Sequence, residues 1–138
     1  MAADILHGVA RKDLSRALAL LGPLEARIMR LVWLGRIRQP FVVWDVQARM
    51  PELAYTTVMT TVGRLAEKGL LTAERVLNQR SVLYHAAGSP TDFLARASQQ
   101  RVEELVRLLG DAALAAFEVQ LGKLSEEQRR RLRDMAGR

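Results

Sequence analysis

Four threonines, Thr56, Thr57, Thr60 and Thr61, fall within six positions of the segment YTTVMTTVGRLAEKGLL (residues 55–71), which otherwise has the pattern of a helix. Threonine is a poor helix former because its branched β-carbon loses rotamer freedom against the preceding turn, at roughly 0.5 kcal/mol each relative to alanine. A helix that tolerates about 2 kcal/mol of such penalty is expected to use the hydroxyls and methyls for something else. With Val58 set at zero and 100° per residue, Tyr55, Met59, Val62, Leu65, Ala66 and Gly69 lie between about −20° and +100°, the expected core face. Thr57, Thr60, Thr61, Arg64 and Lys68 lie between about −60° and −160°, with Thr56 near +160°. Only Glu67 adds an acid to this polar side.

That composition suits the major groove of DNA. Side chains there must be short near the base edges and longer towards the phosphates. A threonine hydroxyl donates or accepts at a base edge, and its methyl packs on a thymine methyl. Arg64 reaches guanine or phosphate, and Lys68 phosphate. Gly63, near +140°, would let the backbone approach closely. An ordinary solvated face favours Glu, Lys, Gln and Ala instead, and a protein partner is the other alternative for such a surface.

Groups for other chemistries are scarce. Cysteine is absent, which removes disulfides, thiol nucleophiles and thiolate metal sites. The two histidines, His7 and His85, stand alone, and no nucleophile–base arrangement is visible, so no enzyme and no cofactor are expected. No run of 18 apolar residues is present to span a membrane, and the first residues lack the apolar region of a signal peptide. The net charge of +6 is uneven: residues 1–88 hold 12 Lys and Arg against 7 Asp and Glu, residues 89–138 hold 9 against 8. The basic excess sits with the threonine helix, as a polyanionic partner would require.

The elements that must position this helix are legible around it. Residues 13–21 have helical spacing (Leu14, Leu18, Leu21). Gly22-Pro23 opens a second helix with Leu24, Ile28, Leu31 and Val32 on its buried stripe, ended by Gly35. A short strand or extended segment is expected at 39–43, a short helix at 44–50 stopped by Pro51, a turn, and then the threonine helix to Gly69. The runs 70–76 and 81–86 read as a hairpin with Asn78 and Gln79 at its tip, flanked by Arg75 and Arg80. Those arginines would contact sugar-phosphate or dip into the minor groove. Ser89-Pro90 begins a helical tail, interrupted at Gly110-Asp111, and Ser125 with Gln128 forms a capping box before the last helix.

The order is mainly α: a winged helix-turn-helix with a small β-hairpin wing, followed by a helical C-terminal region. The expected parts are an N-terminal extension at 1–20 (an extra helix or an arm), a winged-helix DNA-binding domain at 21–88 and a helical dimerisation domain at 89–138. Phe93, Leu94, Val102, Leu105, Leu108, Leu109, Leu114, Phe117 and Leu121 make an aliphatic stripe that one winged helix cannot cover, and a second copy would bury it. The alternative is a tail folded back on its own domain.

With LGPLEARIMRLVW at 21–33, WDVQARM at 44–50, AYTTVMTTVGRLAEKGLL at 54–71 and SVLYHA in the wing, the chain resembles the penicillinase and methicillin-resistance repressor (BlaI/MecI) family. The resemblance implies a cytoplasmic bacterial repressor that dimerises through its C-terminal helices and binds an inverted-repeat operator in double-stranded DNA. It also implies that Tyr55–Lys68 is the recognition helix, and that a membrane metalloprotease sensor system triggers cleavage in the C-terminal region. The best-known members are cut at an Asn-Phe pair in the first C-terminal helix, where this chain reads QQRVEEL; its one asparagine is Asn78. Two rival readings follow from the same residues: a winged-helix repressor switched by a small ligand between tail and domain, and a winged helix used for protein–protein assembly.

Overall fold

A computed structural model describes residues 2–137, with side-chain environments from residue 11 onwards. Its elements run α1 (Ala2–Ala19), α2 (Pro23–Trp33), α3 (Val43–Gln47), α4 (Tyr55–Glu67), β1 (Leu71–Arg75), β2 (Val82–Ala86), α5 (Pro90–Leu109), α6 (Asp111–Gly122) and α7 (Glu126–Ala136). The chain divides into two compact units between Arg96 and Ala97, within α5.

The first unit is a winged helix-turn-helix. α2 starts where Pro23 needs no N–H partner and where the Gly22 N–H donates to Glu25 Oε1 at 3.1 Å. It stops at Gly35, whose φ of +69° disfavours any side chain and lets the Arg36 N–H reach back to the Leu31 carbonyl at 2.9 Å. Gly69, at φ +80°, ends α4 in the same way, with the Leu70 N–H donating to the Leu65 carbonyl at 2.9 Å. Ile28, Met29 and Val32 of α2, Val46 of α3, Val58, Val62 and Leu65 of α4, and Phe41, Met50, Leu70, Leu71 and Tyr84 form one core. Each fully buried side chain there contributes about 1.5–3 kcal/mol of transfer free energy.

β1 and β2 are antiparallel, with Leu71 opposite Ala86 and Arg75 opposite Val82. The short strand or extended segment expected at 39–43 contains one paired residue. Phe41 exchanges both backbone hydrogen bonds with Tyr84, at 2.9 and 2.8 Å. Pro40 has no N–H to extend the ladder, and Val43 already begins α3. The helix expected at 13–21 extends through Ala2–Ala19. It is tied down by Asp13, which accepts from the Thr91 hydroxyl at 2.7 Å.

The second unit comprises the rest of α5 with α6 and α7. Ser125 and Gln128 cap α7 reciprocally, at 3.2 and 2.9 Å, as their spacing requires. Among the described residues from 97 onwards, Ala113 is the one buried side chain. No helix among the described residues is long and apolar enough to cross a membrane.

Candidate nucleic-acid interface

α3, the turn and α4 hold one another through three contacts. The Gln47 amide donates to the Leu53 carbonyl at 3.2 Å, Met50 is fully buried beneath the turn, and the Trp44 ring packs on Tyr55 at 4.2 Å. α4 begins without a side-chain cap: Ala54 occupies the N-cap, and its first turn has no acid. An N-cap Ser or Asp there is worth about 1 kcal/mol, but its oxygen would stand where a nucleic-acid phosphate meets the positive helix end.

The buried residues of α4 are Val58, Thr61, Val62 and Leu65. They centre near −10° on the helical wheel, rotated by roughly 50° from the face expected from sequence. Two assignments change. Thr61 is 6% exposed, and its hydroxyl donates to the Thr57 carbonyl at 2.9 Å. It is a core residue with its polar atom satisfied, not part of the outer surface. Met59, expected in the core, is 44% exposed. Ala66 does pack against the core, so the difference lies in Met59 and Thr61.

The outer face is therefore Thr56, Thr60, Gly63 and Glu67, with Thr57 and Arg64 on one flank and Met59 on the other. Thr56, Thr57, Thr60 and Arg64 are all exposed. A Cβ added at Gly63 would meet nothing within 4 Å, so packing does not require that glycine. Lys68 is engaged elsewhere. Its Nζ lies 2.9 Å from Glu25 Oε1 and 2.8 Å from Oε2, joining the end of α4 to the start of α2. Burial pushes the Glu25 carboxyl up, but the Lys68 ammonium, the Gly22 N–H and the charge of Arg64 outweigh it and hold its pKa below the usual value. Lys68 keeps half its side chain in solvent, so it adds to the basic surface from within an ion pair.

Arg75 ends β1 and Arg80 lies within the wing tip, 76–81, both exposed, and Asn78 between them takes the left-handed conformation, with φ +70°. The wing and the outer face of α4 belong to the same unit. Sequence reasoning missed three features here: the Trp44–Tyr55 pair, the exposed Met59, and Glu25 as the partner of Lys68. An acid at the third position of a proline-started helix signalled only its local cap.

The expected dimerisation residues divide. Phe93 packs on Trp33, with ring centroids 6.1 Å apart, and joins the winged-helix core rather than a free stripe; Leu94 is half-buried. The Trp33 indole also donates to the Gly88 carbonyl at 3.0 Å, which fixes the start of α5 on this unit. Val102, Leu105, Leu108, Leu109, Leu114 and Leu121 are exposed, and Phe117 is half-buried.

A family profile described as penicillinase repressor matches residues 21–138. The chain belongs to the penicillinase repressor family. As a member it is a winged-helix DNA-binding transcriptional repressor, and the match begins at Leu21, after α1. No curated protein matches the chain. Among solved structures it is similar to a Staphylococcus aureus MepR mutant bound to an oligodeoxyribonucleotide, at 10% identity, covering 99% of this chain and 91% of that one, with a TM-score of 0.47. It is also similar to apo MarR from Escherichia coli, at 16% identity, covering 89% and 96%, with a TM-score of 0.43.

Proposed function

We propose that this repressor acts as a cytoplasmic homodimer on an inverted-repeat operator in double-stranded DNA. Thr56, Thr57 and Thr60 would read base edges, Arg64 would reach guanine or phosphate, and Arg75 and Arg80 would hold the flanking backbone. The observation that carries the reading is the outer face of α4. It combines short hydroxyl side chains, a glycine that packing does not need and an uncapped helix start, beside an arginine-flanked wing. A solvated helix face has no use for that combination.

The second unit supports the dimer. Seven exposed large aliphatic residues from Val102 to Leu121, together with one buried residue among the described positions, leave it without a core of its own. A second copy would bury them and set the spacing of two half-sites. Weakening the dimer would then forfeit the advantage of holding both half-sites at once, which makes the second unit the point where a derepressing protease would act.

Salt-titrated fluorescence anisotropy tests the reading. Thr60→Ala is expected to reduce the preference for the selected operator over a base-substituted one by about 1–3 kcal/mol. Arg80→Ala is expected to weaken both duplexes alike and lower the salt slope by about 1. A uniform loss from Thr60→Ala would remove the base-readout role.

A further inference from the structure

The most solvent-accessible tryptophan and the exposed methionine of α4 meet at one place. Trp44 is 58% exposed although its ring packs on Tyr55, and Met59 is 44% exposed one turn along the same helix. Together with Val43, Val82 and Arg80 they line a cavity of about 290 Å³ between the start of α3, the start of α4 and the base of the wing. A buried Trp44 would stabilise the unit more than an exposed one, since fully burying a large side chain removes far more apolar surface from water.

We propose that this cavity binds a small aromatic carboxylate, and that its occupancy lowers affinity for DNA. Three properties select that chemistry. The walls are apolar and aromatic, which suits a planar ring held edge or face against Trp44 and Tyr55. Arg80 is the single charged residue of the lining, and its guanidinium offers the paired donors that a carboxylate accepts. The volume lies at the lower end of small-molecule sites, room for one ring or two fused rings. A nucleic-acid phosphate is a poor occupant, because apolar walls would strip its hydration with one arginine to compensate.

The coupling to DNA rests on the function proposed above. Arg80 belongs to both surfaces, one as a backbone contact from the wing and the other as the carboxylate partner. Met59 flanks the outer face of α4 that carries Thr56 and Thr60. A ligand that engages Arg80 withdraws a positive charge from DNA, and by linkage DNA weakens the ligand by the same factor. The site lies wholly within the first unit.

The test uses the full-length protein and two acid–amide pairs, benzoate with benzamide and 2-naphthoate with 2-naphthamide. Calorimetric titration without DNA is expected to show saturable binding of at least one acid, with its amide about tenfold weaker or worse. Arg80→Gln is expected to abolish that preference, and Trp44→Ala to weaken both members of the pair. In anisotropy titrations the bound acid is expected to raise the Kd for DNA about fivefold or more. Absence of saturable binding by either acid overturns the proposal, as does equal binding of acid and amide or binding indifferent to Arg80→Gln. Acid binding that leaves DNA affinity unchanged overturns the coupling. Because the first titration contains no DNA, failure of the DNA-binding reading would show as a protein that takes the acid and binds no duplex.

Discussion

Replacing Gly63 with alanine separates folding from function, because the two effects have opposite signs. Gly63 lies in the interior of α4, between Tyr55 and Glu67, and its backbone is ordinary helix. A Cβ there would meet nothing within 4 Å, so no packing cost offsets the gain in helix propensity. Glycine costs about 0.8–1 kcal/mol relative to alanine in a helix interior, and Gly63→Ala should stabilise the first unit by nearly that amount. For a domain of this size, 1 kcal/mol corresponds to a rise in Tm of about 4–8 °C, measurable by circular dichroism or calorimetry. The new methyl, however, stands on the side of the helix opposite the core, where a base edge or sugar would approach. Holding the helix even a fraction of an ångström further from the groove would stretch the hydrogen bonds made by its neighbours. Affinity for the operator should therefore fall by about tenfold, or roughly 1.4 kcal/mol. The assay is anisotropy on one labelled duplex, with the melting curve taken on the same preparation. A variant that melts higher and binds DNA as the parent does would refute the assignment of this face to the groove. A variant that melts lower would refute the claim that nothing surrounds Gly63.

Three further outcomes are expected. Thr61→Val should leave operator preference unchanged and alter stability by less than about 1 kcal/mol, because it keeps the buried shape and gives up one hydrogen bond to a carbonyl already in the helical ladder; a changed base preference in a selection experiment would return Thr61 to the interface. Stability should fall as pH drops below the ordinary Glu25 value of 4.5, because a carboxyl whose folded pKa is depressed contributes above its unfolded pKa and loses that contribution through its folded one. Glu25→Gln should flatten that part of the curve in urea titrations between pH 2 and 6, and an identical slope in the variant would show that the pair with Lys68 contributes nothing. Leu108→Glu, at a side chain 68% exposed in the single chain, should give a monomer in sedimentation velocity, with the winged helix still folded, where the parent is expected to sediment as the proposed dimer; a dimer that survives this change together with Leu105→Glu would remove the second unit's role.

Much of the winged helix was legible because local signals coincide with global ones. Pro23 opens α2, Gly35 and Gly69 end helices where a positive φ is required, and Asn78 can turn the hairpin tip. The threonine segment does form a helix, but periodicity alone set its orientation. Met59 and Thr61 were exchanged because hydropathy ranks methionine as core, whereas the combined packing of α2, α3 and β1 on α4 decides the matter. Threonine can enter a core cheaply when its hydroxyl bonds back to the preceding turn, and Thr61 does so. Glu25 and Lys68 stand 43 positions apart, so no local pattern could pair them. Phe93 has the spacing of the aliphatic stripe, yet Trp33 claims it, a long-range contact that makes the start of α5 part of the winged helix. The cavity beside Trp44 and Arg80 likewise draws on α3, α4 and the wing, and exists only once the three are assembled.

The measurement that bears most directly on the central claim is selection from a random duplex pool by the full-length protein at near-physiological salt, followed by sequencing. The expected result is an enriched inverted repeat whose half-sites lie about one helical turn or a multiple apart, with the base preference redistributed by Thr60→Ala and not by Thr61→Val. Binding without enrichment, or enrichment of a single asymmetric site, would contradict a dimer that reads bases through the outer face of α4.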